Sequence, residues 1–112
     1  MKLRLSEQHL RFRLSESEVA LLHQGKSLTQ DVRFSPLESI EIIVEPWQLD
    51  VMQASFLYNQ IKVNIPIAAI APWASSAQEG IYDLQQEGLE QPLKISIEKD
   101  FPCDHSQSAK GC

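Results

Sequence analysis

Hydrophobic and polar residues alternate along several short segments of the chain, and a spacing of two is typical of half-buried β-strands. The first such segments are residues 3–5 and 10–14, in which basic residues occupy the polar face. Six further segments have strand-like composition and are separated by turn residues. They are residues 32–34, 40–45, 52–56, 61–65, 80–84 and 93–98. The pattern therefore predicts about eight strands.

Two short helices are predicted between these strands. Ser15 and Glu18 have the spacing of a capping box, which satisfies two backbone N–H groups at the start of a helix, and Gly25 provides a C-terminal stop. The second helix is expected to begin at Pro66, because proline suits the first helical position. Pro72 is expected to shorten or kink that helix because it has no N–H to donate.

The order strand, strand, helix, strand, strand occurs twice. Apolar positions of the first half correspond to apolar positions later in the chain. The offset is 51 residues over residues 3–22, 50 residues at Val32 and Phe34, and 53 residues over residues 40–45. Because matching alternation alone is common among strands, the shared order of elements is the stronger indication. We interpret the pattern as an internal duplication of a ββαββ unit.

The expected fold class is α+β, mainly antiparallel β. One domain is expected over residues 1–101, made of halves that cover about residues 2–50 and 53–100, and followed by a polar tail over residues 102–112. Two ββαββ units can pack in a barrel-like arrangement or as two facing sheets. The sequence does not choose between these packings.

Composition narrows the class of protein. The chain has 112 residues, 43% of them hydrophobic, so it is suited to one domain with a real core. Its net charge of −5 argues against electrostatic binding of nucleic acid. Since no segment resembles a signal peptide or a membrane span, we expect a cytoplasmic protein that binds neither nucleic acid nor membrane.

Both cysteines lie near the C-terminus, so no disulfide is expected to link the core. Cys103, His105 and Cys112 do not have the spacing of a common zinc site, and no metal or other cofactor is expected.

The N-terminal part of the chain reads Met1-Lys-Leu-Arg-Leu-Ser and then Leu10-Arg-Phe-Arg-Leu-Ser-Glu-Ser-Glu-Val19, and its C-terminal part contains Glu98-Lys-Asp-Phe-Pro-Cys103. These segments resemble the Leu-Arg-Leu-Arg-Leu-Thr-x-x-Glu-Val and Glu-Lys-Asp-Phe-x-Cys signatures of a family of small bacterial proteins of unknown function. The chain departs from the family at Pro72, where a helix former is expected, and after Cys103. The resemblance implies a free-standing bacterial domain and brings no activity with it.

A rim at the end of the last strand is the candidate binding site. Pro102 stops strand pairing there, and the segment lies beside the strand that carries the basic pair. The candidate binding residues are Arg11, Arg13, Lys99, Asp100 and Cys103. The binding rim is the alternative to a structural interpretation, which we favour from the sequence and which makes Phe101 a plug for that end of the core.

We expect a small, non-catalytic binding or interaction domain, able to form a homodimer through an uncovered strand edge. The alternative is a metal-dependent phosphohydrolase or polyphosphate binder with a charged barrel interior. Glu41, Glu45 and Glu98 would face Arg11 and Arg13 across that interior. The two functions differ in geometry, since only the second requires these side chains to converge in one cavity.

Overall fold

Two four-stranded sheets face each other in the computed structural model, which describes residues 1–101. In chain order the elements are β1 (Lys2–Ser6), β2 (His9–Leu14), α1 (Glu16–His23), β3 (Leu28–Ser35), β4 (Glu38–Trp47), β5 (Gln53–Leu57), β6 (Gln60–Pro66), α2 (Ile67–Ala74), β7 (Gly80–Gln85) and β8 (Leu93–Lys99). The α+β class and the two-sheet packing are confirmed, and the barrel-like alternative is wrong. The predicted tail over residues 102–112 lies outside the described residues.

Each sheet is mixed rather than purely antiparallel. The first sheet has the order β1-β2-β8-β7 and the second has the order β3-β4-β6-β5. The central pairs β2–β8 and β4–β6 are parallel, whereas the four outer pairs are antiparallel. The reason is that each half contributes one hairpin to each sheet, so the central strands come from different halves. Four of the six strand pairs are antiparallel, so the expectation of mainly antiparallel pairing is confirmed, and the two parallel pairs lie at the centres of the sheets.

The two halves use the same pairing register. Phe12 lies opposite Ile97 in the first sheet, and Val63 lies opposite Val44 in the second. The two pairs are equivalent, because Phe12 and Val63 differ by 51 positions and Val44 and Ile97 differ by 53. These are the offsets expected before the helix and in the last strand of each half. The turns preceding β2 and β6 also correspond, since Gln8 and Asn59 both have positive φ, 53° and 60°.

The predicted offset of 50 residues at β3 and β7 is wrong. Leu28 lies opposite Val44 and Ile81 lies opposite Ile97, so the offset in this strand is already 53 residues. The change in offset therefore falls between α2 and β7. Val32 and Tyr82 have only their apolar character in common. Alternation alone does not identify which face of a strand an apolar residue occupies.

Both helices lie at one end of the sheets, which we call the helix end. Ser15 and Glu18 form the predicted capping box at the start of α1. Pro66 is the residue before α2 rather than its first residue. Pro72 does not shorten α2, which has eight residues like α1. It removes a single N–H donor from the exposed side of the helix.

The core lies between the inner faces of the sheets and beneath the helices. Its largest fully buried side chains come from both sheets and both helices, and they are Trp73, Phe12, Leu14, Leu22, Ile65, Ile95, Ile97, Val44 and Val63. The indole N–H of Trp73 donates to the backbone oxygen of Glu79 at 3.1 Å, so its polar atom is satisfied. Neither helix is long and apolar enough to cross a membrane.

One pair of sheet edges is joined by side chains. The amide of Gln85 accepts from the backbone N–H of Ala54 at 2.7 Å and donates to the Ala54 oxygen at 3.0 Å. The Asp83 carboxylate accepts from the backbone N–H of Met52 at 2.9 Å. Strands β5 and β7 are therefore held together although they belong to different sheets.

Candidate functional site

Arg11 and Glu98 form an ion pair on the outer face of the first sheet. The Arg11 Nε atom lies 2.5 Å from Glu98 Oε1, and the Tyr82 hydroxyl donates to Glu98 Oε2 at 2.9 Å. Glu98 is only 7% exposed. Burial alone would raise the pKa of its carboxyl, but the hydrogen bonds from Arg11 and Tyr82 hold that pKa below its ordinary value. Arg11 is thus engaged in neutralising a buried charge.

Gly80 makes room for this arrangement. A Cβ atom at Gly80 would lie 2.5 Å from the Tyr82 hydroxyl oxygen and 2.9 Å from the backbone oxygen of Ile97. The side chain of Tyr82 therefore lies over Gly80, in the position from which its hydroxyl donates to Glu98. Burial and the bond to Glu98 raise the pKa of Tyr82, which keeps its proton available for donation.

Asp100 lies close to two basic side chains. Its carboxylate is 2.7 Å from Lys2 Nζ and 3.6 Å from Arg13 Nη2. The hydrogen bond from Lys2 lowers the pKa of Asp100. The structure thus brings Arg13 and Asp100 together, as a rim site requires.

Lys99 lies apart from these residues. Its side chain extends toward the helix end, where Nζ donates to the Ser76 oxygen at 2.6 Å and lies 5.8 Å from the ring centres of Trp73 and Phe101. Phe101 is 39% exposed, so the interpretation of this residue as a core plug is wrong. Cys103 lies outside the described residues. Within residues 1–101, Arg11 and Arg13 line one surface pocket together with Lys2, whereas Lys99 does not line it.

The carboxylates that a charged barrel would require are also separated. Glu98 is paired on the outer face of the first sheet, whereas Glu41 and Glu45 lie on the outer face of the second. There Glu41 accepts from the Gln60 amide at 2.7 Å, and Glu45 lies 3.4 Å from Lys62 Nζ. Within residues 1–101, no three His, Cys, Asp or Glu side chains are grouped so that they could hold a metal ion.

His9 and Ser96 form a contact that sequence analysis missed. The Nε2 atom of His9 lies 2.8 Å from Ser96 Oγ, the geometry of a base and a nucleophile. A catalytic pair also needs an acid that orients the imidazole and donors for an oxyanion. Among the described residues, no acid bonds the imidazole, and the β8 backbone on both sides of Ser96 is paired with β2 and β7. The contact satisfies a buried hydroxyl, and within residues 1–101 no orienting acid accompanies it.

An apolar cavity lies at the end of the sheets opposite the helices, which we call the open end. The cavity has a volume of about 420 Å³ and is lined by residues of both sheets. Six large side chains provide most of its walls: Leu5, Leu10, Ile40, Phe56, Ile61 and Leu93. This volume lies within the range of small-molecule and side-chain pockets.

These six residues are three equivalent pairs of the two halves. Leu5 corresponds to Phe56 and Leu10 to Ile61 at an offset of 51 residues, while Ile40 and Leu93 differ by 53. Each follows or precedes one of the hairpin turns, all of which lie at the open end. The helices cover the inner faces at the other end only, so Leu5 remains 61% exposed and Phe56 67% exposed.

Sequence analysis identified these positions as core because alternation shows which face points inward but does not show whether anything covers it. The element order alone did not supply this information, because the position of the helices depends on which strands pair. In both halves the helix follows the second strand, so parallel central strands place both helices at one end and leave the other end uncovered.

Comparison with known proteins agrees with the resemblance at the level of the family. The chain matches a family of unknown function, DUF7009, over residues 1–110. Neither the comparison with curated proteins nor the comparison with solved structures gave a match. Because the family match extends over nearly the whole chain, the protein belongs to the DUF7009 family of unknown function.

Proposed function

We propose that this protein is a small cytoplasmic, non-catalytic binding domain that holds an apolar group of its ligand in the open-end cavity. The observation that carries the proposal is the cavity itself, an apolar space of about 420 Å³ whose walls come from both halves. An apolar cavity with exposed walls is the common form of a binding site in a protein.

The energetics favour occupation of this cavity. Leu5 and Phe56 keep most of their surface in water, and apolar surface is stabilised by about 25 cal/mol for each Å² that is removed from water. A ligand that covers both side chains gains this free energy without opening the core. Four of the wall residues lie on strands β1, β2, β5 and β6. Pairing within the sheets fixes these strands, so the site is preorganised.

The alternative function, a phosphohydrolase or polyphosphate binder, has less support. It requires carboxylates and basic residues in one cavity, whereas Glu98 is paired with Arg11 on one outer face and Glu41 lies on the other. The space between the sheets is lined by apolar side chains. We also infer that the shared register of the two halves reflects duplication of one ββαββ unit.

Two matched variants test the proposal. Phe56→Ser removes a wall of the cavity, whereas Phe34→Ser removes a side chain of nearly equal exposure, 66%, that does not line the cavity. Nile red, a neutral dye whose fluorescence rises in apolar surroundings, is titrated into each protein. We expect saturable binding to the wild type, about fivefold weaker binding to Phe56→Ser and unchanged binding to Phe34→Ser.

Both variants must first show the far-UV circular dichroism and urea midpoint of the wild type. Equal loss of dye binding in both variants, or no saturable binding to the wild type, would overturn the proposal.

A further inference from the structure

Acidic side chains lie in or beside three of the four hairpin turns at the open end. Each of the turns after β1, β3 and β7 contributes carboxylates at its tip or at the adjoining strand end, and all are exposed. We call this set the acidic collar, and its members are Glu7, Glu38, Glu87 and Glu90. The turn between β5 and β6 has no charged residue.

The collar is incompletely neutralised. Among the described residues, no collar carboxylate takes part in an ion pair. The nearest basic residues along the chain are Arg4, Arg33 and Lys94. Arg4 lies on the outer face of the first sheet. The Arg33 guanidinium donates to two backbone oxygens of its own turn, at 3.3 Å and 3.0 Å, so its charge lies at the turn after β3. Lys94 lines a surface pocket together with Glu7. The four carboxylates therefore outnumber the basic side chains at this end.

An apolar cavity within an acidic collar fits a ligand of a particular chemistry. Resting on the proposed function, we propose that the open end binds a peptide segment whose apolar side chains enter the cavity and whose flanking residues are Lys or Arg. Apolar anchors contribute most of the affinity in such complexes, while complementary charge sets the orientation and excludes wrong partners.

The same charges disfavour the other occupants. A symmetric dimer through the open end would bring two acidic collars together, and like charges repel across such an interface. Anionic lipid surfaces are repelled for the same reason. Phe101 lies at the helix end, and the sequence after it contains no Leu, Ile, Val, Met, Phe, Tyr or Trp that would fill the cavity.

Three synthetic peptides test the proposal by isothermal titration of the full chain. They share one core of Leu and Ile and differ in their flanks, which are Lys, Ser or Glu. We expect the Lys-flanked peptide to bind about tenfold more tightly than the Ser-flanked peptide, since a few exposed charge pairs contribute at this level. The Glu-flanked peptide is expected to bind most weakly. The differences should shrink between about 50 mM and 500 mM salt.

A triple variant with Glu7→Gln, Glu87→Gln and Glu90→Gln should remove most of the preference for Lys. A control with the same change in net charge, made of Glu16→Gln, Asp50→Asn and Glu79→Gln, alters exposed residues outside the collar and should retain the preference.

The outcomes separate this inference from the proposed function. Equal binding of the three peptides overturns the charge preference but leaves the cavity as the site. If Nile red binds but none of the three peptides does, the proposal of a peptide ligand is overturned and a small apolar ligand is indicated. Loss of both dye and peptide binding overturns the proposed function. A dimer that dissociates on Phe56→Ser, detected by sedimentation equilibrium, identifies a second copy as the occupant and overturns the proposal.

Discussion

Arg11 shows how a residue that appears available in the sequence acquires a structural role. Alternation correctly predicts that its side chain points away from the core, on the face shared with Arg13. Its partner Glu98 could not be predicted, because the two residues are 87 positions apart and lie on strands of different halves. These strands become neighbours because each half contributes one hairpin to each sheet, an arrangement that we call the exchange of hairpins. A carboxylate that is 7% exposed needs a compensating charge, and Arg11 provides it.

Arg11→Ala is therefore expected to lower the free energy of unfolding, because it leaves Glu98 buried with only the Tyr82 hydroxyl as a partner. Arg4→Ala is the matched control. Arg4 lies directly opposite Arg11 on β1, and its side chain forms no hydrogen bond or ion pair within residues 1–101, so its loss should change stability by less than about 0.5 kcal/mol, a smaller effect than that of Arg11→Ala. Urea unfolding at neutral pH measures both values.

The same variant has a pH signature. Because the folded state lowers the pKa of Glu98, the stability provided by its pairing is present at neutral pH and is lost as pH falls through the folded pKa. The difference between wild type and Arg11→Ala should therefore shrink in acid, where Glu98 is protonated. A difference that is constant with pH would show that packing of the Arg11 side chain, rather than its charge, stabilises the fold.

At the scale of elements, local chemistry could be predicted well and strand correspondence less well. The capping box of α1 depends on residues three positions apart, so the sequence specifies it directly. Glu18 also accepts from the N-terminal ammonium of Met1 at 2.8 Å, which fixes β1 to the helix. By contrast, the offset between β3 and β7 depends on pairing across the sheet, and the apolar residues Tyr82 and Leu84 proved to lie on the outer face.

Ser15→Ala should destabilise the protein by about 1 kcal/mol, because the helix loses the side-chain acceptor of the Glu18 N–H. Ser17→Ala removes the 3.2 Å contact between the Ser17 and Ser15 hydroxyls but leaves the bond from the Glu18 N–H to Ser15, so it should cost less than about 0.5 kcal/mol. Thermal unfolding followed by circular dichroism compares the two. If Ser17→Ala is as costly as Ser15→Ala, the capping box is not what stabilises the start of the helix.

For the whole molecule, the place where a ligand can bind depends on the exchange of hairpins, by which each sheet combines one hairpin from each half. The element order and the inward positions could be predicted from the sequence, because both depend on local patterns. The exchange could not, since alternation does not state which strand pairs with which. Once the exchange is known, both helices must lie at one end, and the apolar residues Leu5, Phe56 and Ile61 are left around an open cavity.

The most direct test of this account is a map of where an apolar molecule binds. The ¹⁵N-labelled full chain is titrated with benzyl alcohol, a neutral and water-soluble probe, and amide chemical shifts are followed by NMR. We predict that the largest changes occur at Leu5, Ile61 and Leu93 around the cavity, and that Val19 and Ile70 in the helices remain unchanged. Changes centred instead on the helix end, or on the outer face of the first sheet, would contradict the account.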